Sequence, residues 1–122
     1  MARDRHQPQR SYARVARVNE LCREILADEL ERVDDDRLVL VTITHVSVDP
    51  DLRHAVVEFS ALGEDEDEAK EALDEHRVKL QSAIARQARL KRTPELRFSV
   101  DTVISRGARI EQLLREDPPH AD

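Results

Sequence analysis

The chain has 122 residues, 39% of them hydrophobic and 38% charged, and 26 acids against 20 bases give a formal net charge of −6. At this length one modest domain is expected, and the strongly periodic apolar residues argue against overall disorder. The longest apolar run, Leu38–Val41, is far short of the roughly 20 residues a membrane helix needs; the start MARDRHQPQR lacks the apolar core of a secretory signal; and Cys22, the single cysteine, makes neither an internal disulfide nor an unaided zinc site, so a cytoplasmic protein is expected.

Residues 1–10 carry Arg3, Arg5, Arg10 and Pro8 with nothing apolar to bury, and read as a flexible basic tail. Ser11 suits a helix N-cap. From there Val15, Val18, Leu21, Cys22, Ile25, Leu26, Leu30 and Val33 recur at three- and four-residue steps, the stripe of an amphipathic helix of about six turns. Its outer face begins with Arg10, Arg14, Arg17 and Arg23 and ends with Asp28, Glu29 and Glu31. That order opposes the helix dipole, which favours acids first and bases last, so the basic start is expected to serve something other than the helix.

Asp34-Asp35-Asp36 closes the helix, and residues 38–48 (LVLVTITHVSV) are rich in β-branched side chains and read as a strand. Val39, Val41 and Ile43 share one face, whereas Val46 and Val48 fall on the other; a bulge near His45, or burial on both faces, accounts for the change of phase. Asp49-Pro50-Asp51 is turn chemistry, and Ala55, Val57 and Phe59 alternate along a second strand that completes a hairpin. Acids from Glu64 to Glu68 suit a helix start. A helical period then runs from Ala69 through Leu73, His76, Leu80 and Ile84 to about Leu90, and Pro94 ends it. Leu96, Phe98 and Val100 mark a third strand; Ile110, Leu113 and Leu114 suggest a short last helix before Asp117-Pro118-Pro119. The expected fold is α+β, a three-stranded sheet covered by helices on one face, over residues 11–116, with 117–122 as a flexible C-terminal tail.

The net charge conceals segregation. Residues 1–23 balance at +4, residues 77–97 at +6 and residues 64–75 at −7. A basic face on a small domain neutralises phosphates, and 17 of the 20 bases are Arg, whose planar fork suits them. The aromatics are only Tyr12, Phe59 and Phe98, which disfavours recognition by base stacking. His6, His45, His54, His76 and His120 show no metal-ligand spacing, no Ser/His/Asp or Cys/His set is present, and no phosphate-cradling glycine loop occurs. Cys22 lies on the apolar stripe and is expected to be buried and inert. No enzyme, cofactor, metal or small-molecule substrate is expected.

Two blocks carry a family resemblance. Residues 36–63, DRLVLVTITHVSVDPDLRHAVVEFSALG, and residues 94–114, PELRFSVDTVISRGARIEQLL, stand at the spacing seen in bacterial ribosome-binding factor A, and the early helix with Arg14-Val15 and Arg17-Val18 adds a weaker third. The sequence is similar to that family over about residues 11–115. The resemblance implies a type II KH-like fold, helix-strand-strand-kinked helix-strand with a short C-terminal helix. It also implies a non-enzymatic assembly factor that binds the small (30S) ribosomal subunit and its 16S rRNA, assists late maturation and 5′-end processing, and supports growth in the cold. The family departs from KH modules in lacking their Gly-x-x-Gly loop, and its helix kink is usually marked Ala-x-Gly. Here those positions are His76-Arg77-Val78, so the helix either runs nearly straight or is bent by packing.

The expected rRNA-facing residues are Arg10, Arg14 and Arg17 on the first helix with Arg77, Lys79, Arg86, Arg89, Lys91 and Arg92 on the long one, in a protein expected to be monomeric. Reversal of Arg86, Arg89 and Arg92 to Glu is expected to abolish subunit binding without unfolding the chain. The rival reading is a protein-interaction module that dimerises through its sheet or binds a basic partner along Glu64–Glu75; a KH-like RNA binder with no preference for ribosomes is a second.

Overall fold

The computed structural model describes residues 7–62, 65–104 and 113–114. Helix α1 spans Gln7–Glu31, strand β1 Val41–Val48, β2 His54–Ala61, α2 Glu66–Glu75, α3 Arg77–Gln87 and β3 Glu95–Val100, with a single 3-10 turn at Asp36–Leu38. The strands form one sheet in the order β1-β2-β3; β2 pairs antiparallel with β1 and parallel with β3, so α2 and α3 make the crossover. The order matches the expected α+β arrangement. The short C-terminal helix expected around Ile110 falls largely outside the described residues. No helix among the described residues is long and apolar enough to cross a membrane.

Helix α1 starts four positions before Ser11, which therefore is not its cap: Pro8 sits in the first turn, where its fixed φ and missing N–H cost nothing. The expected stripe is realised in its second half, with Cys22, Ile25, Leu26, Leu30 and Val33 buried and α1 packed on β1 and α3, whereas Val15 and Leu21 are exposed. Burial also raises the Cys22 thiol pKa, in keeping with an inert side chain.

The phase change in β1 is a bulge. Ile43 pairs with Phe59 and His45 with Glu58, leaving Thr44 as the extra residue. Val41, Ile43, Val46 and Val48 are thereby all turned inward. The strand is shorter than the expected 38–48, because the 3-10 turn tucks Leu38 into the core and leaves Val39 and Leu40 outside it. Thr44 uses its position: its hydroxyl donates to the buried Asp101 carboxylate at 2.7 Å, and Asp101 accepts in turn from the Val103 and Ile104 amides.

The long helix is divided at His76, whose φ of −96° and ψ of 9° leave the helical region. Leu80 N–H still donates to the His76 carbonyl, so α3 restarts directly on the far side of the bend. No glycine is needed because side chains hold it. Asp35 Oδ2 lies 3.0 Å from His76 Nε2 and accepts from Arg37 Nη2 at 2.7 Å, while Arg37 also bridges to Glu75 at 2.9 Å. The Arg37 guanidinium, then His76, hold the Asp35 carboxyl far below its usual 3.8, and Arg37 likewise lowers Glu75. Asp101 is lowered chiefly by the Thr44 hydroxyl.

A carboxylate depressed in the folded state adds stability that is present above its unfolded pKa and lost as pH falls toward the folded one. Unfolding free energy is therefore expected to be level near neutrality and to decline below about pH 4. Urea titrations from pH 7 to 3 check this, and Asp35→Asn should lower stability at pH 7 while flattening the acid decline. An unchanged acid limb in that variant would remove Asp35 from the account.

Candidate nucleic-acid interface

The register sets the two ends of the sheet apart. Val48 faces Ala55 and His54 faces Glu95, so β1 ends where β2 and β3 begin. The hairpin turn at 49–53 and the segment 88–94 meet there, and the Glu95 amide donates to the Arg53 carbonyl at 2.9 Å. Between them lies a shallow cleft of about 350 Å³ lined by Pro50, Asp51, Leu52, Arg53, Lys91 and Arg92. Both borders contain a non-glycine residue in the left-handed region, Leu52 at φ 62° and Arg89 at φ 53°. Such a conformation costs roughly 1–2 kcal/mol, so the surrounding contacts must impose it. In the turn, Leu52 N–H donates to the Asp49 carbonyl at 2.8 Å and Arg53 N–H to Asp51 Oδ1 at 3.0 Å. Arg89 stands just past the α3 cap at Ala88, so the helix stops three residues short of the expected Leu90; its end is set by this left-handed residue rather than by Pro94.

Helix α1 runs antiparallel to β1. Ala27, Leu30 and Glu31 lie by Val41–Ile43, Ala16 and Asn19 lie by Thr44–Ser47, and Asn19 Oδ1 accepts from the Val48 amide at 2.9 Å. The exposed Arg14 and Arg17 thus point the first half of α1 toward the same end as the cleft. Arg10 lies in α1, with its side chain outside the described residues.

The other expected cations are placed elsewhere. Arg77 and Lys79 open α3 directly after the bend at His76, beside Asp35 and Glu75 and outside the lining of the cleft. Arg86 reaches across to α1, 3.7 Å from the buried Glu29 carboxylate. Among the described residues, Arg14, Arg17, Arg77, Lys79, Arg89, Lys91 and Arg92 make no ion pair, whereas Arg23, Arg32 and Arg37 are each paired within the fold. Unpaired exposed cations grouped around a cleft retain their charge for an external anion. Phe59 and Phe98 are buried, so neither offers a stacking surface.

The family model for ribosome-binding factor A matches residues 14–114. Ribosome-binding factor A of Rubrobacter xylanophilus is 44% identical over 108 residues, covering 87% of this chain and 88% of that protein. The protein of the same name from Halorhodospira halophila is 42% identical over 118 residues, covering 93% and 94%. The chain belongs to the ribosome-binding factor A family. The crystal structure of ribosome-binding factor A from Thermus thermophilus superposes with a TM-score of 0.68 at 30% identity, over 70% of this chain and 94% of that one. A homology model of Thermus thermophilus ribosome-binding factor A, fitted into a cryo-electron-microscopy map of a complex with the 30S subunit, gives a TM-score of 0.58 at 32% identity, over 66% of this chain and 88% of that one.

Within this chain, Arg53 is the cleft residue that reading the sequence did not single out. It sits one position past Asp49-Pro50-Asp51-Leu52, outside both basic stretches, and only the pairing of β2 with β3 brings it beside Lys91 and Arg92. The pairing also gathers donors that no local spacing reveals: ligand atoms of His45, Glu58 and Asp101 lie within 4.8 Å of one another. The Asp101 oxygens are already engaged by Thr44 and two backbone amides, with His45 Nε2 at 3.7 Å, so its position is explained by capping the turn that follows β3.

Proposed function

We propose that this chain binds the small ribosomal subunit through its 16S rRNA, as a binding factor rather than an enzyme. Arg10, Arg14, Arg17, Arg77, Lys79, Arg86, Arg89, Lys91 and Arg92 are its rRNA-facing residues. Arg53 joins Lys91 and Arg92 at the centre of the contact. The observation that carries the reading is the cleft between the two left-handed turns, where Lys91 and Arg92, which make no ion pair among the described residues, stand with Arg53, whose one partner is Asp51 at 3.6 Å. The Thermus thermophilus relative fitted into a 30S complex supports the same partner. A rigid cleft of this kind recognises phosphate position and RNA shape, because no described aromatic is open to stack on a base. The factor acts in the cytoplasm as a monomer, late in subunit maturation, where it assists 16S rRNA 5′-end processing and sustains growth in the cold.

Co-sedimentation of the purified chain with small subunits tests this. Binding should be evident at low salt, with log K falling linearly against log salt. In cells lacking the chain, 16S precursor with an unprocessed 5′ end should accumulate. Failure to co-sediment at low salt, together with self-association of the free chain, would favour an interaction module that uses its acidic helix.

A further inference from the structure

We propose that the groove between the end of α1 and the start of β1 docks an extended, basic segment of another protein, one that alternates Arg or Lys with apolar side chains. The groove has a volume of about 440 Å³. Its floor is apolar, built by Leu30, Val33, Leu38, Val41 and Ile43. Its rim is acidic: Glu31, Asp34 and Asp36 line it and make no ion pair among the described residues, while the fourth acid, Asp35, is turned to Arg37 and His76.

Three features make this more than a solvated acidic corner. The first is Val39, on the groove wall, 71% exposed, next to Leu40 at 53%. The 3-10 turn that buries Leu38 forces the next two residues of the longest apolar run outward, and Leu62, just past the Val41 partner Ala61, is exposed as well. Adjoining exposed apolar residues ringed by polar ones mark an interaction surface. The second is the sheet itself. Among the described residues strand β1 is an edge strand, paired with β2 alone, and the stretch Val41–Ile43 that borders the groove belongs to it. Its outward backbone groups can receive an extended segment, whose alternate side chains would face the apolar floor and the acidic rim. The third is charge. The rim repels phosphate, so a nucleic acid does not fit here, whereas a cationic peptide does. The groove lies at the end of the sheet opposite the Arg53–Lys91–Arg92 cleft, and the proposal does not depend on RNA binding there.

The test is a fluorescence-anisotropy titration of the full chain with three synthetic probes, the octapeptides (Arg-Val)4, (Arg-Ser)4 and (Glu-Val)4. The first should bind about tenfold or more tighter than the second, the value of one buried apolar side chain, and the third should not bind. Val39→Ser, a change at an exposed position, should weaken (Arg-Val)4 about tenfold, as should Asp34→Asn with Asp36→Asn. Backbone amide shifts on titration should map to Val39–Ile43. Absence of binding, equal affinity for (Arg-Val)4 and (Arg-Ser)4, an affinity unmoved by Val39→Ser, or shifts confined to Glu66–Glu75 would each overturn the proposal. So would a dimer in sedimentation that Val39→Ser dissolves, since the occupant would then be a second copy.

Discussion

Reversal of Arg53, Lys91 and Arg92 together to Glu is expected to weaken binding to purified small subunits by about 100-fold or more, since each charge-assisted hydrogen bond to phosphate is worth about 1 kcal/mol or above. The slope of log K against log salt should shrink by about 2 to 3, because each neutralised phosphate contributes roughly 0.7–0.9 to it. The fold should be untouched: all three side chains are exposed, and only Arg53 has an internal partner, Asp51 at 3.6 Å. Identical circular dichroism and urea midpoints for the variant would confirm that binding alone is impaired. The combination of Arg86, Arg89 and Arg92, which sequence favours, is a poorer probe, since a carboxylate at position 86 would face the buried Glu29 and confound affinity with stability. Reversing Arg77 and Lys79 instead should cost less, as they stand outside the cleft lining, by the bend that Asp35 and Glu75 border. If that pair proved the more damaging, the interface would lie at the helix bend.

The largest effect on stability is expected from Phe59→Ala. Phe59 is fully buried on the central strand, paired with Ile43 on one side and Val100 on the other. Truncating such a ring costs about 3–5 kcal/mol through reduced burial and the cavity left behind. Against a total stability of about 5–15 kcal/mol, a substantial unfolded fraction would follow at elevated temperature. Urea denaturation should show a lower midpoint with an unchanged slope. Val78→Ala, on a side chain 72% exposed, should shift the midpoint by no more than about 0.5 kcal/mol equivalent. A cost below about 1 kcal/mol for Phe59→Ala would mean that the core collapses around the gap instead of holding its shape.

What could be read from the order of residues alone was whatever depends on local period. The stripe from Cys22 to Leu30, the alternation of Ala55, Val57 and Phe59, and that of Leu96 and Phe98 all reappear as buried faces. The change of phase after Ile43 left a bulge near His45 or burial on both faces open, and the register has the bulge, the extra residue that two alternating sets on one buried face require. Non-local chemistry stayed hidden. His76 keeps the helical period, and the contacts that hold the bend, His76 with Asp35 and Arg37 with Glu75, join residues 41 and 38 apart in the chain. Arg89 looked like a helical residue because nothing in its neighbours signals a left-handed backbone on a side chain that large. The basic stretches were visible as charge, but chain order could not set Arg77 and Lys79 outside the cleft that Lys91 and Arg92 line, or bring Arg53 to it.

The bulge at Thr44 also bears on how the protein behaves when crowded. An uninterrupted eight-residue edge would be a template on which further copies could stack, strand against strand. Thr44 cuts that template into Val41–Ile43 and His45–Val48, and Asn19 already occupies the Val48 amide in the second piece. What remains free is long enough for a short visiting segment and too short to seed a growing sheet. One inserted threonine thus keeps an open edge available while denying it to aggregation.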